Sequence, residues 1–153
     1  MVRMRDLPAT KRESMMTYPC PSFDSTPSVQ GAELSERRVT LISTAGLIKR
    51  GDRPMTPRDA RYRVIPHRLA SNDLLMSHVS VNFDRVGFQR DPNVVLPRDR
   101  LDELVSDGII GAVADEHYSF MGATEAEAFE RPAQQLAERL HVQGVDSALL
   151  LPV

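Results

Sequence analysis

The last nine residues constrain the fold more than any other stretch. Residues 145–153 read V-D-S-A-L-L-L-P-V, a short apolar run entered from Gly144 and Asp146. Turn-forming residues followed by such a run predict a buried parallel strand. In an open α/β sheet, the loop leaving the carboxyl end of a strand is where ligands and reactive groups sit. Here Val153 stands at that position, so a terminus falls where a functional loop is expected.

The preceding residues supply neighbours for such a strand. Residues 38–42 (R-V-T-L-I) predict a first strand, which runs into Ser43, Thr44, Ala45 and Gly46. Small residues after a strand let a ligand or another backbone approach closely. Residues 62–65 predict a second strand and 72–76 a helical turn. The alternation of Val79, Val81 and Phe83 predicts a half-buried strand over 78–83. Residues 84–97, with Gly87, Pro92 and Pro97, predict a long functional loop. A helix is expected over 97–107, with Leu101, Leu104 and Val105 on one face and Gly108 as its stop. Residues 109–114 predict another strand. Thr124 with Glu127 fits a capping box that opens a helix reaching about Val142. Its inner stripe is Phe129, Ala133, Leu136 and Leu140, and Pro132 either kinks it or restarts it in a first turn.

Strands alternating with helices argue for an α/β fold. The expected architecture is a mostly parallel sheet with helices on both faces, Rossmann-like or flavodoxin-like, missing its C-terminal part. Residues 1–36 carry Pro8, Pro19, Pro21 and Pro27 among Ser, Thr and Asp, and read as an irregular N-terminal arm. Residues 37–153 read as the N-terminal part of one α/β domain.

Composition narrows the function classes. A chain of 153 residues suits one domain and needs no disulfide or metal staple. A net charge of −2 gives no electrostatic reason to expect nucleic acid or an anionic membrane as partner. No apolar run approaches the ~20 residues that span a bilayer, and there is no signal-peptide core, so the cytoplasm is the expected location. Cys20 is the single cysteine, which precludes an internal disulfide. Only Lys11 and Lys49 among the 19 basic residues are lysine, a bias that GC-rich coding explains more simply than anion binding.

Three polar clusters fall at or just beyond carboxyl ends of predicted strands: Ser43-Thr44, Asn82-Asp84-Arg85 and His117-Tyr118-Ser119. In a parallel sheet those ends face one edge, where they would form a shared crevice of donors and acceptors. Polar residues also gather in loops for solvation alone. His78 and His117 have no close ligand spacing and no second cysteine beside them, so no metal site is expected. Ser119 lies outside any G-x-S-x-G elbow, and Ser43-Thr44-Ala45-Gly46 lacks the Gly-Lys-Ser/Thr of a phosphate loop.

Three stretches together resemble the selenoprotein B family, the selenocysteine subunits of glycine, sarcosine, betaine and D-proline reductases. They are residues 38–54 (R-V-T-L-I-S-T-A-G-L-I-K-R-G-D-R-P), 77–97 (S-H-V-S-V-N-F-D-R-V-G-F-Q-R-D-P-N-V-V-L-P) and 117–124 (H-Y-S-F-M-G-A-T). The resemblance implies reductive cleavage of a C–N bond. A selenolate attacks the carbon bearing nitrogen, and a cysteine three residues on displaces the product group from selenium. A dithiol or thioredoxin-type donor then reduces the selenide–sulfide bridge. For amino-acid substrates it implies a partner subunit whose pyruvoyl group holds the amine as an imine. A selenol suits this role because a thiol, with a pKa of about 8.5, is mostly protonated at pH 7.

By the same resemblance, Ser43, Thr44 and Gly46 would line the floor of the site. Ser77, His78, Asn82, Asp84, Arg85 and Gln89 would shape its wall, and His117, Ser119 and Gly122 would complete it. Among these His117, Ser119, Asp84 and His78 are the candidates for catalysis, with a His or Asp giving a proton to the leaving amine. The family's selenocysteine-x-x-cysteine motif follows a strand like 145–153, so selenocysteine is expected just after Val153. It is encoded by UGA, which ordinary gene reading takes as a stop. The alternative class is a non-catalytic Rossmann-like small-molecule binding module. The carboxyl ends of 38–42 and 145–153 are expected side by side in either case.

Overall fold

The computed structural model describes residues 3–17, 22, 24, 29–80 and 83–153. In chain order the elements are α1 (Ala9–Met16), β1 (Arg38–Ser43), β2 (Leu47–Lys49), β3 (Arg63–Pro66), β4 (Leu74–Met76), α2 (Val86–Arg90), α3 (Arg98–Ser106), β5 (Ala112–Val113), β6 (Glu116–Ser119), α4 (Glu130–Val142) and β7 (Ser147–Leu151).

β1 is the centre of the main sheet and has parallel neighbours on both sides. β5 pairs with its start and β6 with its end, while β7 runs along the other side from Val39 to Ser43. β3 lies outside β6 and is antiparallel to it. β2 and β4 form a separate antiparallel pair. The fold is therefore mixed α/β with a mostly parallel sheet, as expected.

The two faces of the sheet bury different clusters. Val39, Leu41, Ile65 and Ile110 pack with Leu101, Leu104 and Val105 of α3. Tyr118, Phe120, Ile42 and Val64 pack with Leu136 and Leu140 of α4. Successive strand residues point to opposite faces, and helical spacing puts each apolar stripe on one side, so the two helices cover the two faces. A polar clamp fixes α4: the Glu116 carboxylate accepts from Arg139 Nη2 at 2.7 Å and from Gln143 Nε2 at 2.6 Å.

Several expectations need correction. The strand placed over 78–83 is not formed by the described residues there. The pairing strand is β4, just upstream, and of 72–76 only Asn72 and Asp73 belong to a 3-10 turn, Ser71–Asp73. Val79 is half-buried because it packs on the cluster of Ile48, Met55 and Met121, and Phe83 because it stacks on His78. The loop over 84–97 contains α2 and a 3-10 turn, Pro92–Val94. The last helix begins at Glu130 after a 3-10 turn, Ala126–Phe129, so Pro132 sits in its first turn. Thr124 does not cap it: its Oγ1 donates to the carbonyls of Pro57 and Asp59. Ala133 faces solvent. The arm contains α1, which buries none of its residues. Cys20 lies outside the described residues.

The correction that matters most concerns β7. It is an edge strand, not a buried one, and Leu149 and Leu150 are 45% and 66% exposed. Among the described residues nothing pairs with its outer side. No helix of the described residues is long and apolar enough to cross a membrane.

Candidate functional site

β1, β6 and β7 end at one edge, with Ser43 opposite Ser119 on one side and Leu151 on the other. The carboxyl ends of β1 and β7 thus lie side by side. The turn after β1 holds this edge together. The Thr44 N–H donates to the Leu151 carbonyl at 3.1 Å. Thr44 Oγ1 accepts the Val153 N–H at 2.8 Å and donates to the Val153 carbonyl at 3.2 Å. Gly122 rests on the same threonine, where a Cβ would come within 2.8 Å of the Thr44 carbonyl oxygen.

Gly46 joins the edge to the next segment. Its φ of +66° favours glycine, and a Cβ there would come within 3.0 Å of His78 Cα. Its carbonyl accepts the Ser77 N–H at 2.8 Å. His78 follows, buried and stacked on Phe83 with 4.7 Å between centroids and 23° between planes. Arg85 Nη2 donates to the His78 carbonyl at 2.6 Å. Thr44, Gly46, Ser77, His78, Arg85 and Gly122 are thereby linked through one continuous turn-and-loop surface.

The remaining predicted residues divide. Ser43 and Ser119 are buried and engaged, Ser43 Oγ accepting the Ala45 N–H at 3.2 Å and Ser119 Oγ the Leu47 N–H at 2.7 Å. Ser77 Oγ accepts the Met55 N–H at 2.9 Å. Asp84 is exposed and caps the start of α2 through the Val86 N–H, and Gln89 is exposed on that helix. Asn82 lies outside the described residues.

His117 belongs to a second constellation that its spacing did not announce. β5 and β6 leave a gap along β1, and the N–H of Leu41 in that gap donates to His117 Nδ1 at 3.1 Å. A backbone N–H only donates, so neutral His117 carries its proton on Nε2. That nitrogen meets His67 Nδ1 at 3.0 Å, and His67 Nε2 meets Asp102 Oδ1 at 2.9 Å. One backbone N–H thus fixes the direction of the whole chain. Burial first, then the charges of His67 and Arg98, push the His117 pKa down to about 3. Arg98 is itself buried and donates through Nη1 to the carbonyls of Pro66, His67 and Leu69. This chain borders a cavity of about 380 Å³ lined by Pro66, His67, Asp102 and Gly111–Val113, beside the start of β1. Every imidazole nitrogen is engaged and the chain ends on Leu41, so it ties β1 to α3 and leads no proton to the carboxyl edge.

The fold and its edge define an α/β protein of the open parallel-sheet class, with its candidate site where such sheets carry ligands. The chain belongs to the glycine/sarcosine/betaine reductase selenoprotein B family, whose sequence pattern matches residues 9–152. It is 31% identical over 121 residues to the D-proline reductase subunit gamma of Acetoanaerobium sticklandii, covering 77% of this chain and 49% of that one. It is 28% identical over 139 residues to the glycine reductase complex component B subunit gamma of Symbiobacterium thermophilum, covering 87% and 32%. With the betaine reductase complex component B subunit beta of Peptoclostridium acidaminophilum it shares 29% over 126 residues, covering 77% and 28%. The chain spans about half the length of the first of these relatives and about a third of the others. No solved structure matches it.

Proposed function

We propose that residues 37–153 are the N-terminal part of a reductase subunit that cleaves a C–N bond of an amino acid or related amine. The proposal places its redox motif directly after Val153, with a pyruvoyl-bearing partner subunit and a dithiol or thioredoxin-type donor, in the cytoplasm. The observation that carries this reading is the convergence of β1, β6 and β7 on one edge, where Thr44 holds Val153 by two hydrogen bonds.

Selenocysteine at that position would supply a nucleophile ionised at pH 7, in an oxidoreductase with a disulfide as acceptor. The residues present fit such a group. Thr44 fixes the backbone leading to it, Gly122 lets its own backbone close on Thr44, and Gly46 lets the His78 backbone close on the same turn, without a Cβ in the way. His78 adds a buried ring nitrogen with no partner among the described residues. Thr44, Gly46, Ser77, Arg85 and Gly122 orient the site. His78 holds a proton at Nε2 near the leaving amine. Asp84 and Gln89 stand outside this linked surface, on the turn into α2 and on the helix itself. His117 and Ser119, both buried on β6, support the site from within the sheet.

The test compares two proteins supplied with dithiothreitol and a pyruvoyl-containing partner. One is the 153-residue chain and the other is the reading frame expressed through its downstream codons with selenocysteine insertion. The longer protein is expected to cleave one of glycine, sarcosine, betaine or D-proline, and the 153 residues none. Turnover by the 153 residues alone overturns the proposal.

A further inference from the structure

One atom on the segment that packs against the turn after β1 is buried without a partner. His78 is 7% exposed, and its Nδ1 accepts the Ser80 N–H at 3.1 Å. The neutral ring therefore carries its proton on Nε2. That nitrogen is buried and has no hydrogen-bond partner among the described residues. A buried N–H left unpaired is a standing cost to the fold, and such exceptions are few in native proteins.

The ring is also held in place. Phe83 stacks on it, and its backbone lies against Gly46. Arg85 donates to the carbonyls of His78 and Ser80, which sets a guanidinium beside the imidazole. Burial first, and then the charge of Arg85, lower the His78 pKa, so the ring is a neutral donor at pH 7. A fixed N–H donor beside a cation is complementary to a negatively charged acceptor.

We propose that His78 is an anion-recognition residue: its Nε2–H, backed by Arg85, donates to a carboxylate or a chalcogenolate brought to the edge where β1 ends. The inference rests on the reading of that edge as the reactive site. The carboxylate would come from the substrate and the chalcogenolate from the redox motif.

Nitrogen-15 NMR of the labelled chain reads the His78 ring directly, assigned against His78→Gln. Acetate and methaneselenolate are titrated separately, each against chloride at equal ionic strength. The expected result is a saturable shift of the Nε2 proton with at least one probe. Acetate alone points to the substrate carboxylate, and methaneselenolate alone to the redox group. His78→Phe keeps an aromatic ring against Phe83 and removes the donor. It also removes the Nδ1 acceptor of the Ser80 N–H, so its own melting temperature is only the baseline, and it is expected to lose the upward melting shift that the effective anion gives the wild type. No shift with either probe, a shift matched by chloride, or an equal melting shift in His78→Phe overturns the proposal. The codon after Val153 is read independently. A redox motif there without an anion response leaves the reductase reading standing, and an anion response without the motif leaves an anion-binding module.

Discussion

His117 carries the sharpest consequence at the scale of a single residue. Replacing it with alanine removes the acceptor for the Leu41 N–H and the donor to His67, inside a packed sheet. His117→Ala is expected to cost about 3 kcal/mol in urea unfolding, from the orphaned N–H and the cavity together. A cost below about 1 kcal/mol would contradict the role given to the ring. The pH dependence has a definite sign. Unfolded histidine binds its proton below about pH 6.5, and folded His117 only below about 3. Between these values the unfolded chain binds more protons, so stability falls as the pH falls. The contribution is fully present above about pH 6.5 and is lost progressively toward about 3. His117→Gln keeps an acceptor and a donor but does not titrate, so its melting temperature should fall less between neutral and acid pH. An unchanged slope would assign the acid sensitivity to other groups. Gly122→Ala tests the edge itself. Its Cβ would meet the Thr44 carbonyl oxygen at 2.8 Å, and the expected loss is about 1–3 kcal/mol by thermal unfolding.

Among the elements, β1, α3 and α4 were readable because an apolar run or a helical stripe marks each of them in the sequence. β7 was readable as a strand but not as an edge, since composition does not say what lies on a strand's outer side. Nor does the run of residues 62–65 carry a direction, and β3 proved antiparallel to β6. The pattern of Val79, Val81 and Phe83 misled because a crossing loop buries Val79 and Phe83 without strand pairing. At the candidate site, Thr44 and Gly46 stood out because they fall after a strand, whereas His78 and Gly122 entered only through the family resemblance. The His67–His117–Asp102 chain was not, since its members are 50 and 35 residues apart and meet only in the fold. The uncharged outer edge of β7 has a testable property of its own, because exposed apolar edges associate. Sedimentation velocity should show concentration-dependent association of the 153-residue chain. Leu150→Lys should reduce it while changing stability by no more than about 0.5 kcal/mol. Equal association of both proteins would remove the edge as its cause.

For the whole molecule, the sheet is covered on both faces by α3 and α4, while the outer side of β7 presents Leu149 and Leu150 to solvent. The curated relatives extend well beyond the length this chain spans. A redox motif following β7 would stand at the edge that Thr44, Gly46, His78 and Gly122 already shape. Family membership was legible because three contiguous motifs carry it. The substrate was not, because the candidate site residues come from separate loops and no motif among them specifies a ligand. The proposed reactive group belongs directly after Val153. Sequencing the genomic locus through that codon tests it most directly. The expected codon is UGA, followed in frame by a cysteine three positions beyond the selenocysteine. A UAA or UAG codon, or a UGA with no cysteine motif downstream, would contradict it.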